Sequence, residues 1–228
     1  MPSRLRSLRR SPRDAGAPAS QPEAFSALRR FQQVVDALKE RFYPKEVKNL
    51  EIQEREVDAK RTPLAGFYEA LVEEAGRRNV PVEDKEYPNL RGFINASRLE
   101  KEMDFKDVET AIRGLDLEVA GAETGAFSQH YLDYKAGHIS LNSFSSYLKA
   151  HIKPEHVARY PLLAQYMDYL RYFAGINHGT LFVEAENLSD RVKASYFRTK
   201  EENDVALLAK NLKILDDLLN LKLTPESY

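Results

Sequence analysis

Residues 87–105 read YPNLRGFINASRLEKEMDF and residues 160–178 read YPLLAQYMDYLRYFAGINH, one pattern written twice at a spacing of 73 positions. Tyr87-Pro88 matches Tyr160-Pro161, Leu90 matches Leu163, Phe93 matches Tyr166, Ile94 matches Met167, Met103 matches Ile176 and Asp104 matches Asn177. A second pair stands upstream: VDAKRTPLAGFYEAL at 57–71 against YKAGHISLNSFSSYL at 134–148, at a spacing of 77. It pairs Leu64 with Leu141, Phe67 with Phe144 and Leu71 with Leu148. The change in spacing places a deletion in the connecting loop, where length changes are tolerated.

Self-similarity of this kind marks repeat architectures, and in both copies the apolar residues recur at steps of three and four, the period of a helix. Each unit reads as a helix, a tight Thr-Pro or Ser-Leu turn, a second helix, a loop, a Tyr-Pro helix and a capped helix. In NLKLTPESY (220–228), Thr224-Pro225 repeats the turn a third time. The expected fold is all-α: antiparallel helical hairpins in two related repeat units plus the start of a third, behind a disordered N-terminal leader. The period fits neither tetratricopeptide, ankyrin nor HEAT repeats. The expected divisions are a leader at 1–21, a first unit at 22–125, and a second unit with the start of a third at 126–228. A chain that stops as a third unit opens is expected either to be part of a longer one or to finish in a frayed end.

Working outward, Phe25, Leu28, Phe31, Val35, Leu38 and Phe42 form one helical stripe up to Pro44, and Val47, Leu50 and Val57 a second. Thr62-Pro63 reads as N-cap and first helical residue of a third helix that stops near Gly76. After a loop at 77–87, Pro88 opens a helix, and Asp104 with Asp107 resembles a capping pair ahead of Val108, Ile112 and Leu115. Gly114, Gly121 and Gly125 mark a weak region. Further helices are expected around 126–136, 140–150, 161–174 and 180–197. Thr199 and Glu202 form a capping box for the last, where Val205, Leu208, Leu212, Leu215 and Leu219 step 3-4-3-4 as in a coiled coil.

The 228 residues hold 34 basic and 35 acidic side chains, unevenly distributed. Residues 1–20 carry Arg4, Arg6, Arg9, Arg10 and Arg13 against Asp14 alone, so a basic leader precedes a mildly acidic body. The leader buries too little apolar surface to order itself, and lacks the apolar core of a secretory signal. Nucleic acid is expected to bind at most weakly, through the leader. The absence of Cys excludes disulfide scaffolds, thiolate zinc sites, Fe–S clusters and a cysteine nucleophile. No run of about 18 apolar residues is present, so no membrane span is expected. The expected location is the cytoplasm.

From about Ala37 to Tyr228 the chain resembles the helical part of large uncharacterised bacterial proteins, in YPNLRGFINASRLEKEMDF, in YLDYKAGHISLNSFSSYL (131–148) and in SYFRTKEENDVALLAKNLKILDDLLNLKLTPESY (195–228). In those proteins the helical region follows a separate N-terminal domain, in whose place stands the Arg-rich leader. The resemblance implies no activity and carries no catalytic residue onto this chain.

Candidate chemistry is sparse. His151 and His156 flank Pro154 in HIKPEH, but neither H-x-x-x-H nor E-x-x-H occurs among the spacings of His130, His138, His151, His156 and His178, so no metal ligand set is expected. Phosphate-binding glycine loops are missing, and GAETG (121–125) reads as a helix break. No catalytic or cofactor-binding residue is assigned. Seven tyrosines lie between 131 and 172, and Tyr166, Tyr169, Tyr172 and Phe173 share a helix face. That face, with Leu208, Leu212, Leu215 and Leu219, is the candidate surface for a protein partner or self-association. The functional expectation is a non-enzymatic helical scaffold or interaction module; the alternative is a helical accessory or cap region of a larger enzyme.

Overall fold

The computed structural model describes residues 21–118 and 125–222. The expected leader, apart from residue 21, and the third-copy turn at Thr224-Pro225 lie outside the described residues. Within them are eleven helices and no strand: α1 (Gln21–Phe42), α2 (Lys45–Asp58), α3 (Leu64–Arg77), α4 (Pro88–Glu102), α5 (Phe105–Glu118), α6 (Ala126–Lys135), α7 (Leu141–His151), α8 (Pro154–Arg159), α9 (Pro161–Gly175), α10 (His178–Ala194) and α11 (Lys200–Lys222). The all-α expectation holds.

Most starts follow local chemistry. Ser140 caps α7, its hydroxyl accepting from Ser143 N–H at 3.1 Å, and Asn177 caps α10, its side chain accepting from Thr180 N–H at 3.0 Å. Capping satisfies a donor that the first turn otherwise leaves orphaned. Asn177 also explains why α10 spans 178–194 rather than the expected 180–197. Two further expectations need correction. Thr62 does not cap α3: Pro63 occupies that position in an extended conformation, φ −62° and ψ 132°, without a side-chain cap bond. Thr62 is instead drawn back over the end of α2, since Arg61 and Thr62 N–H both donate to Glu56 O. Between the helices expected at 140–150 and 161–174 the chain also forms a short helix, α8, because a proline that ends one helix is well suited to the first position of the next.

The turns after α2 and α6 are built alike. Ala59, Lys60 and Arg61 N–H donate to Arg55, Val57 and Glu56 carbonyls at 2.8–2.9 Å, and Ala136, Gly137 and His138 N–H donate to Leu132, Tyr134 and Asp133 carbonyls at 2.8–3.0 Å. Both need a left-handed residue, Lys60 at φ 57° and Gly137 at φ 76°. Only glycine adopts that region without steric cost. Lys60→Gly is therefore expected to raise unfolding stability by about 0.5–1 kcal/mol, the left-handed strain it relieves outweighing the extra freedom glycine gives the unfolded chain. An unchanged or lower urea midpoint would contradict this.

The described helices fall into two compact units, Met1–Lys48 with Phe197–Tyr228, and Asn49–Tyr196, the boundary crossing α2 between Lys48 and Asn49. The second unit holds two cores. One joins Leu50 of α2, Phe67 and Leu71 of α3 and Leu90 and Ile94 of α4 to Leu181, Ala185, Leu188 and Val192 of α10. The other joins Val108, Ile112 and Leu115 of α5 to Phe127 and Tyr131 of α6, Phe144 and Leu148 of α7 and Leu163, Tyr166 and Leu170 of α9. Position 125, the expected end of the first repeat unit, falls along the chain between α5 and α6, both of which contribute to this second core.

Each core is pinned by a buried carboxylate. Glu184 of α10 accepts from Leu90 N–H at 2.8 Å and from Asn89 Nδ2 at 2.6 Å, in the first turn of α4. Asn89 Oδ1 in turn accepts from Asn177 N–H at 2.7 Å. Asp116 of α5 accepts from Phe127 and Ser128 N–H, both at 2.9 Å, and from the Ser128 hydroxyl, in the first turn of α6. An anion against the positive end of a helix dipole, bonded to its free N–H groups, is a favourable way to bury a charge.

Candidate interaction surface

The unit containing α1 and α11 is thin. The ring of Tyr43, just past the end of α1, meets Phe197, just before α11, at 5.4 Å, so the two packed helices run antiparallel. The expected capping box opens α11: Thr199 Oγ1 accepts from Glu202 N–H at 3.2 Å while the Glu202 carboxylate accepts from Thr199 N–H at 2.9 Å and Arg198 N–H at 2.5 Å. Those backbone donors, Arg198 first, hold the Glu202 carboxyl below the usual range.

Among the described residues thirty apolar ones are buried, of which this unit holds five: Val35, Tyr43, Val47, Val205 and Leu212. Of thirteen exposed large apolar residues it holds seven: Phe31, Val34, Leu207, Leu208, Ile214, Leu215 and Leu218, each at least 48% exposed. Among the described residues the unit thus has more exposed large apolar residues than buried apolar ones.

The exposed residues are not scattered. With about 100° between successive helical residues, Leu207, Leu208, Ile214, Leu215 and Leu218 fall in one arc of roughly 120°, next to the arc of Val205 and Leu212 that faces α1. Phe31 and Val34 flank Val35 in the same way. Because the helices are antiparallel and both right-handed, the two exposed arcs fall on one flank of the pair.

No family model, curated protein or solved structure matches this chain. The surface must therefore be read from its own chemistry. Of the leucine residues picked out by sequence, Leu208 and Leu215 lie on the flank, Leu212 is buried against α1 and Leu219 is partly buried. Phe31, Val34, Leu207, Ile214 and Leu218 are the flank residues outside the surface expected from sequence; the signal for the last three is that the apolar residues of α11 span half its circumference rather than one seam.

The tyrosine set divides. Tyr166 is enclosed in the second core, its ring edge-on to Tyr131 and Phe105, both at 6.4 Å. Tyr169 stacks between Tyr166 and Phe173 at 6.2 and 5.8 Å, Tyr172 is partly buried, and Phe173 is exposed. Burial pushes the Tyr68 and Tyr169 phenols up to about 12, with Asp58 and Glu100 adding repulsion, and it raises Tyr131, Tyr134 and Tyr166. Unfolded tyrosine ionises near pH 10, so the raised folded values contribute stability that is intact below pH 10 and lost as pH climbs toward 12. Absorbance at 295 nm followed beside far-ultraviolet circular dichroism is expected to show a late tyrosinate step coincident with loss of helix. Complete ionisation near pH 10 with the helices intact would contradict it.

Three of the histidines bond within their own helix or turn. His130 stacks on Tyr147 at 3.6 Å and donates through Nδ1 to Ala126 O, His151 donates to Tyr147 O, and His156 Nδ1 accepts from Lys153 N–H. Among the described residues no group of three His, Cys, Asp or Glu side chains is arranged to hold a metal ion, and no helix is long and apolar enough to cross a membrane. A cleft of about 420 Å³ is lined, among the described residues, by Phe25, Ser26, Arg29, Arg30 and Gln33 of α1.

Proposed function

We propose that this protein is a non-enzymatic α-helical scaffold that associates with protein through the exposed flank of α1 and α11. The observation that carries this reading is the imbalance just described: seven of thirteen exposed large apolar residues lie on the unit that contributes five of thirty buried ones. A helix whose apolar face covers half its circumference suits a bundle position with neighbours on two sides, and among the described helices α1 is the one that packs extensively along α11. Contiguous exposed apolar surface of this kind marks interaction sites. Chemical cross-linking in the native cell extract tests the reading. The unaltered chain is expected to give higher-mass species that the Leu208→Glu/Leu215→Glu variant does not; the same species from both would contradict it.

The same reading treats Asn49–Tyr196 as an internal duplication in which each half lends its last helix to the other. Helix starts support it: Leu64 and Leu141 stand 77 apart, while Pro88 and Pro161, and Phe105 and His178, stand 73 apart. The matching turns at Lys60 and Gly137 share the 77 spacing. Along the lent helices, buried Val108, Ile112, Leu115 and Asp116 correspond, 73 positions on, to buried Leu181, Ala185, Leu188 and Ser189. The arrangement places α5 of the first half with α6, α7 and α9, and α10 of the second half with α2, α3 and α4. Both caps, Asp116 to α6 and Glu184 to α4, then cross between halves.

A further inference from the structure

We infer that the occupant of the α1–α11 flank is a second copy of this chain, related by a two-fold axis that makes a four-helix bundle of the two helix pairs. The inference rests on the docking reading above and specifies its partner.

Three observations point to self-pairing. First, two antiparallel helices with a shared apolar flank are half of a four-helix bundle, and a two-fold copy supplies the other half with the same residues. Second, the area is sufficient. Helices of 22 and 23 residues are about 33 Å long, and two side by side are about 20 Å wide, so each copy offers on the order of 650 Å². The pair would bury about 1,300 Å² in all, within the range of stable interfaces.

Third, the one polar residue of the α11 arc between Leu207 and Leu218 is Asn211. It stands at the middle of α11, Lys200–Lys222, where an axis perpendicular to the helix meets it. There Asn211 would face the same residue of the second copy. An amide donates and accepts at once, so it is complementary to itself, where a Lys or Glu would repel itself. A lone Asn in an apolar helix seam is also a known means of fixing register and copy number.

Sedimentation velocity on the purified full chain, from micromolar to tens of micromolar, tests this. The expected mass is twice 26.1 kDa. Asn211→Lys is expected to weaken the dimer about a hundredfold by setting like charges face to face, with the helical circular dichroism unchanged. A monomer throughout, or a dimer that Asn211→Lys leaves intact, would overturn the inference. Because the chain has no Cys, the thiol of Leu215→Cys reports on the flank alone, through its rate of maleimide labelling. Slow labelling that Asn211→Lys accelerates supports the dimer. A monomer that labels fast overturns the dimer while leaving the flank open for a different protein, and a monomer that labels slowly overturns both the dimer and the docking reading.

Discussion

Replacing Glu184 by Ala is expected to lower the thermal unfolding midpoint by about 6–12 °C, the equivalent of roughly 3 kcal/mol in a chain of this length. The carboxylate is buried, and it accepts from a backbone N–H and a side-chain amide in the first turn of α4. Its removal leaves Leu90 N–H and Asn89 Nδ2 enclosed without an acceptor, and an enclosed donor bears its whole desolvation cost. Glu184→Gln retains one acceptor oxygen and is expected to fall between the two. Asn187, exposed on the same helix, provides the control. Asn187→Ala is expected to change stability by no more than about 0.5 kcal/mol. Equal shifts for Glu184→Ala and Asn187→Ala in differential scanning calorimetry would remove the cap from the account of α4.

The other large effect concerns the two leucines that close the cores. Leu115 of α5 and Leu188 of α10 are both fully buried, one in each core. Truncation to Ala loses the transfer energy of the deleted atoms and leaves a cavity, together about 3 kcal/mol for each. The two sites sit in different cores with no shared partner, so the double variant is expected to lose roughly the sum, about 6 kcal/mol. Urea unfolding measures it. A double variant no less stable than the worse single one would mean that the cores are not independent contributors.

Much of this fold is legible in the sequence, and the readable part is local. The Tyr-Pro starts of α4 and α9, the Thr199–Glu202 box and the apolar stripes each depend on residues within a turn or two of one another. Thr62 misled because its capping chemistry is right but the left-handed residue at Lys60 turns the chain before Thr62 reaches the helix. The pairing of α5 with α6, α7 and α9, and of α10 with α2, α3 and α4, is not local. Val108, Ile112 and Leu115 announce a buried face, and nothing in their spacing says whether α2–α4 or α6–α9 will cover it. The same limit applies to α11: its 3-4-3-4 stripe predicts one seam, whereas Leu212 turns to α1 while Leu208 and Leu215 are left outside, a division decided by the number of neighbours the helix has. Tyr166 belongs by spacing to the tyrosine face expected to meet a partner, yet it is enclosed in the second core, because the period of a helix says which residues share a face and not what covers it.

Amide hydrogen exchange on the Leu188→Ala and Leu115→Ala chains tests the exchanged duplication most directly, because protection in native proteins is lost locally as well as globally. Leu188→Ala, in the second half, is predicted to lower protection first in α3 and α4 of the first half, and Leu115→Ala, in the first half, to lower it first in α6, α7 and α9 of the second. Loss concentrated in each residue's own half, α6, α7 and α9 for Leu188→Ala and α3 and α4 for Leu115→Ala, would contradict it.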